Sequence, residues 1–197
     1  KLDRVYEQLA LNVSTFSTAA KIILPKQKEI NIGKIATTKE KYQPAYRPQV
    51  IVFDPQSADF ELIIQIANFN YRKGGLWEPI SLDLPESALQ KNLIRYGFDF
   101  LLAGSILFMA LYHLGLYWLR PKDRAPFYFS ILCFLVVLRI LTVENILINQ
   151  FVFLDWYWLI KLEYLSFYPS VAMLIIFFNA IFYKERLPYF SEILLGS

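Results

Sequence analysis

Three long apolar runs in the second half of the chain decide what it can fold into. Residues 100–119 and 164–183 are each 20 residues without a formal charge, and residues 125–148 carry only Arg139 and Glu144. A bilayer core about 30 Å thick takes about 20 helical residues to cross, so each run is long enough. Three helices buried on all sides in a soluble domain would need far more polar chain around them than 197 residues supply. The runs are read as transmembrane helices at about 98–119, 126–148 and 157–183.

Composition agrees. The hydrophobic share is 56%, the aromatic share 17% and the mean hydropathy +0.36, all high for a soluble domain. A net charge of +3 is too small to point to a nucleic-acid partner. Cys133 is the one cysteine, so no intrachain disulfide is possible, and it reads as a small lipid- or helix-facing filler. One histidine, no paired-histidine motif, no phosphate-cradling glycine loop and no nucleophile–base set leave no catalytic residue, metal site or cofactor to expect. The chain does not begin with Met and shows no signal-peptide pattern. It is expected to be a piece of a longer protein.

Residues 1–82 read as β-structure. Val5, Glu7, Leu9, Leu11 and Val13 alternate with Tyr6, Gln8, Ala10 and Asn12, close to the two-residue period of a half-buried strand. Residues 19–24, 29–35 and 50–53 are shorter candidates; in 60–69, Phe60, Leu62, Ile64 and Ile66 share one face. Residues 76–82, after Gly74-Gly75, read as a last strand interrupted at Pro79, as suits an edge. Several short strands with turns between them imply a sandwich. About 80 residues close only a small core, so upstream strands are expected to be missing.

Residues 83–97 read as a helical connector. Asp83 stands three residues before Glu86 with Pro85 between them, the spacing of a capping box, and Leu89, Leu93 and Tyr96 continue a helical stripe. It is either an ordinary linker or a stiff rod that passes displacement to the first span.

Orientation is read from the loops. Arg120, Lys122 and Arg124 lie between the first two spans, and Lys184 and Arg186 follow the third; residues 149–155, between the second and third, have no Lys or Arg. The positive-inside rule then places the first loop, and residues 187–197 leading to a next helix, in the cytoplasm. The β-domain is placed outside, although Lys91 and Arg95 lie on that side.

Polar residues inside the runs are candidates for function, since charge in lipid is costly. Arg139 pairs across helices with Glu163, or it snorkels or pairs with a helix outside this sequence while Glu163 and Lys161 sit at headgroup level; Glu144, five residues from Arg139, is a poor intrahelical partner. His113 is read as packing before proton switching, and Pro169 as a kink. Trp118, Trp156, Tyr157 and Trp158 are read as interface anchors.

The run Tyr46-Arg47-Pro48-Gln49, a strand, and then residues 68–77, Asn-Phe-Asn-Tyr-Arg-Lys-Gly-Gly-Leu-Trp, resembles the extracellular domain of bacterial seven-transmembrane receptors with diverse intracellular signalling modules. The short basic loop and Leu138-Arg139 in the second span extend the likeness from about residue 9 to 195. The resemblance implies an α+β membrane protein: a jelly-roll-like β-sandwich, incomplete here, outside the inner membrane, then three of seven helices. In the full-length receptor it implies a cytoplasmic output module, sometimes catalytic, and a homodimer. The sequence departs from this pattern in its missing early strands, in residues 26–29 where an Asn-Gly-like hairpin turn is expected, and in having three spans and no output module.

Tyr42, Tyr46, Arg47, Tyr71, Arg72 and Trp77 lie near turns, where rings beside arginine suit stacking on a sugar or capture of an acidic group. The structural reading comes first: Arg47 and Arg72 tie loops to the sandwich and Trp77 packs in its core. Three functions follow in order of preference. The first is a sensory receptor taking a carbohydrate, a small molecule or a protein partner; the second an assembly subunit docked through its β-domain; the last a membrane enzyme, for which this chain lacks the parts.

Overall fold

Strand β1 (Leu9–Val13) carries the alternation read from the sequence, with Leu9, Leu11 and Val13 buried, but it starts at Leu9, four residues later than Val5. The computed structural model describes residues 4–71, 74–76 and 78–182. β1 is the middle of a three-stranded antiparallel sheet, between β5 (Gln49–Phe53) and β8 (Ser81–Asp83). A second sheet places β3 (Ala19–Leu24) between β4 (Lys28–Ile32) and β6 (Ile63–Ala67). A short antiparallel pair joins β2 (Phe16–Ser17) and β7 (Gly75–Leu76). Both three-stranded sheets feed one apolar cluster: Leu9, Leu11, Val13, Ile51 and Phe53 from the first, Ala20, Ile22, Leu24 and Ile32 from the second, with Phe16 between. That is a small β-sandwich.

Local chemistry explains the departures from the sequence reading. Residues 76–82 are not one strand; β7 and β8 flank Pro79, which has no N–H to give a ladder, and β8 ends on the sheet edge. The hairpin between β3 and β4 closes from Leu24 to Lys28 through Pro25–Gln27, with Lys26 at φ +62° in the left-handed position that an Asn-Gly turn would give to glycine. Lys26 Nζ also bonds the Asp54 carboxylate at 2.9 Å, tying the hairpin to the end of β5. Phe60 and Leu62, just before β6, and Ile64 within it lean on the core as expected, whereas Ile66 is exposed.

The first helix, α1, runs unbroken from Pro85 to Leu119, 35 residues, about 52 Å at 1.5 Å per residue. Connector and first span are therefore one element. The capping-box reading is corrected: the Leu84 carbonyl accepts the first helical bond, from Ala88 N at 2.9 Å, so Leu84 holds the cap position. The Asp83 carboxylate instead takes Lys91 Nζ at 2.6 Å. The second helix, α2, covers Ala125–Thr142 and ends well short of residue 148. Left-handed backbone at Glu144 (φ +56°) and Ile146 (φ +48°) stops it, and a 3-10 turn follows at Leu147–Gln150. Glu144 is thus a loop residue, not a residue of the second span. The third helix, α3, is Trp156–Ile181, with Pro169 inside it.

The chain divides into two compact units. One is the β-sandwich with residues up to Asp99 and, from the far side of α2, Leu141–Ile160. The other comprises Phe100–Ile140 and, among the described residues, 161–182. Within the second, Phe129 of α2 meets His113 of α1 at 4.4 Å and Phe177 of α3 at 5.0 Å between ring centroids. Its buried positions are mostly small: Ala103, Ala110, Ser130, Cys133 and Ser166, the residues that let helices approach closely in lipid. Cys133 therefore faces a helix. All three helices are long and apolar enough to cross a membrane, and little of each is covered by protein.

Candidate functional site

In the first unit, the loop from Gly33 to Pro48 is pinned to the sandwich by backbone bonds. Lys34 and Gln43 exchange N–H···O bonds at 2.8 and 3.0 Å, and Ala45 N donates to Thr18 O at 2.9 Å. Gly33 makes this approach possible. Its φ is +70°, and a Cβ there would lie 2.4 Å from Gln43 O. Tyr42 is buried with its ring edge-on to Phe69 at 5.2 Å. Burial pushes its phenol above the ordinary 10.0, the nearby Phe69 backbone offsetting part of the effect, so Tyr42 stays protonated at neutral pH. The loop therefore holds Tyr46 and Arg47 on a fixed base.

A second turn is organised by Asn68. Its Oδ1 accepts N–H bonds from Asn70 (3.1 Å) and Tyr71 (2.9 Å), and its Nδ2 donates to Tyr71 O at 2.7 Å. This is how an Asn side chain imitates a backbone turn, and it fixes Tyr71.

Both turns converge on Trp156. The Tyr46 and Tyr71 rings stand edge-on to the indole at 6.0 and 5.8 Å. Arg47 lies over the Phe153 ring at 5.1 Å. Between the Gly33–Arg47 loop and residues 149–157 is a cleft of about 590 Å³, with Asn31, Tyr42, Gln43 and Arg47 on one wall and Asn149, Asp155, Trp156 and Tyr157 on the other. Clefts of 300–1,000 Å³, lined by rings with a few polar groups, are the usual size and make-up of small-ligand sites. Trp156, expected among the lipid-interface anchors, is only 8% exposed, and its buried Nε1–H has no acceptor among the described residues. Trp118 and Trp158 are exposed.

Of the six proposed ligand contacts, Tyr42, Tyr46 and Arg47 line the cleft with Trp156, and Tyr71 packs edge-on against the same indole. Arg72 and Trp77 lie outside the described residues. Sequence reasoning passed over Asn149, Phe153, Asp155 and Trp156 as site residues. Their signal was available in a loop without lysine or arginine that is dense in aromatic rings.

The intramembrane candidates fall elsewhere. The Arg139 guanidinium lies over the Phe167 ring at 5.0 Å, and Glu163 lends its backbone carbonyl to Ser166 Oγ at 2.7 Å. His113 Nδ1–H donates to Met109 O at 2.8 Å while its ring packs on Phe129. Glu144 lines a smaller polar recess of about 220 Å³ with Glu78, Asn92, Arg95 and Asn145. Beside it Asn145 Nδ2 donates to Asp99 Oδ2 at 2.5 Å, a tie between α1 and the α2–α3 loop that the sequence reading did not contain. No group of three or more metal-ligating side chains occurs among the described residues.

A β-sandwich followed by three helices long and apolar enough to cross a membrane defines a multi-pass membrane protein. Residues 95–197, more than half of the chain, match the family described as 7TM diverse intracellular signalling, and the chain belongs to that family of transmembrane sensory receptors. No curated protein and no solved structure matches the chain.

Proposed function

We propose that this chain is the ligand-receiving and first relay part of a transmembrane sensory receptor. Its β-domain lies outside the inner membrane, the aromatic cleft takes a small ligand such as a carbohydrate, and occupancy biases the helices towards a cytoplasmic output module. The observation that carries this reading is the cleft itself, whose two walls come from the β-domain and from the loop between two spans. A ligand transmits only by interacting differently with two states of the receptor, and a site shared between a domain and a membrane-helix loop offers that difference. The β-domain and residues Leu141–Ile160 share one compact unit. This fits a topology in which α1 and α2 cross and return, a reading that the basic loop at residues 120–124 supports. Arg47, Asn149 and Asp155 supply polar contacts around the rings, the combination that holds a sugar face and its hydroxyls.

α1 is the natural rod, since Pro85–Leu119 is continuous. Deleting Ala88 and Leu89 from the full-length receptor turns everything beyond by about 200° and is expected to change its output. Unchanged output from a folded, inserted variant overturns the coupling. Isolation of a stoichiometric protein partner together with no small-ligand response would favour an assembly role.

A further inference from the structure

We propose that Trp156, the first residue of α3, is itself a ligand-binding residue, and that occupancy of the cleft is read first at the start of α3, with α1 left as a rigid rod that makes no contact with the ligand. The inference rests on the reading of the cleft as the ligand site. Trp156 is more than nine-tenths buried, lines the cleft, and holds its Nε1–H away from solvent with no acceptor among the described residues. Buried indole N–H groups ordinarily have partners, and one left without is costly. Edge-on packing against Tyr46 and Tyr71 fixes the ring, so the donor is not free to turn towards another group. The missing acceptor is then a ligand oxygen: a hydroxyl, a ring ether or a carboxylate.

The walls of the cleft determine where such a ligand acts. One wall is β-domain loop; the other runs from Asn149 to Tyr157; none of the described residues lining it belongs to Pro85–Leu119. Arg47 and Asp155 place one charge of each sign in the lining, so the site selects by its pattern of oxygens and hydroxyls rather than by net charge. A ligand that bridges the walls ties the Gly33–Arg47 loop to the first turn of α3.

A tethered sugar tests this whatever the natural ligand. Gln43 is exposed and lines the cleft. The chain carrying Gln43→Cys and Cys133→Ser is placed in lipid nanodiscs and labelled with a methanethiosulfonate-linked glucose, and amide hydrogen exchange is compared with the unlabelled protein. Labelling is expected to slow exchange in residues 42–47 and 149–160, the latter about fivefold, as one neutral hydrogen bond does, and to leave 85–96 unchanged. Trp156→Phe in the same background keeps a ring but no donor. It is expected to cancel the slowing at 149–160 while sparing 42–47. Slowing at 42–47 without 149–160, slowing that survives Trp156→Phe, or an equal response at 85–96 overturns the role of Trp156 and leaves the cleft standing. No slowing at either wall overturns the cleft as the ligand site, and this inference with it.

Discussion

Gly33 and Lys26 both sit in left-handed backbone, for opposite reasons. At Gly33 the absence of a Cβ lets the loop close on Gln43 O, so Gly33→Ala combines a steric clash with an unfavourable φ. It is expected to cost about 2 kcal/mol or more and to lower the melting temperature in nanodiscs by several degrees, with Gly75→Ala, where a Cβ meets nothing within 4 Å, losing less. At Lys26 the strain is offset by the bond to Asp54. That bond, followed by Gln56 N–H, holds the Asp54 carboxyl below its ordinary 3.8. A folded-state value below the unfolded one stabilises above the ordinary value, and the contribution is lost as pH falls through the lowered one. Melting temperature should therefore fall as pH drops below about 4, and fall less in Asp54→Asn; identical slopes would remove the pair from the account. Tyr42, Tyr46, Arg47 and Tyr71 were legible as a group from ring chemistry beside turns. Trp156 was not, because a tryptophan at the edge of an apolar run fits a membrane interface equally well; only the fold of residues 141–160 separates the two.

Among the elements, the strands with clear alternation were legible in the sequence, and β3 has the bounds the pattern gave, Ala19–Leu24. The helix boundaries were less so. Hydropathy carries on through Val143–Ile148, yet α2 ends at Thr142, since a left-handed Glu144 and a β-branched left-handed Ile146 follow no composition rule. The loop so formed is held by the Asp99–Asn145 bond, with Asn145 buried and Leu147 fully buried behind it. Asp99→Ala leaves the Asn145 amide without that partner and is expected to cost about 1.5–3 kcal/mol. Asp99→Leu with Asn145→Leu should cost clearly less than the sum of the two single changes. Additive losses in this double-mutant cycle would show that the bond does not hold the loop.

At the scale of the whole molecule, the spans were the most legible feature and rest on the simplest physics. Leu101, Phe108 and Leu119 are each at least two-thirds exposed on α1, a surface that water does not tolerate at this density and lipid does. The chain is expected to stay monodisperse in detergent or nanodiscs and to aggregate when detergent is removed. Less legible was that the α2–α3 loop belongs to the β-domain's unit, because contacts between residues a hundred positions apart leave no periodic trace.

The most direct measurement is the sidedness of three positions in a Cys133→Ser background. Gln43→Cys, Lys122→Cys and Phe153→Cys variants of the full-length receptor are each exposed to a membrane-impermeant maleimide on intact spheroplasts. Residues 43 and 153 are expected to react and residue 122 to react only after lysis. Labelling of 122 on intact cells with 43 and 153 protected, or 43 and 153 found on opposite sides, would contradict the account.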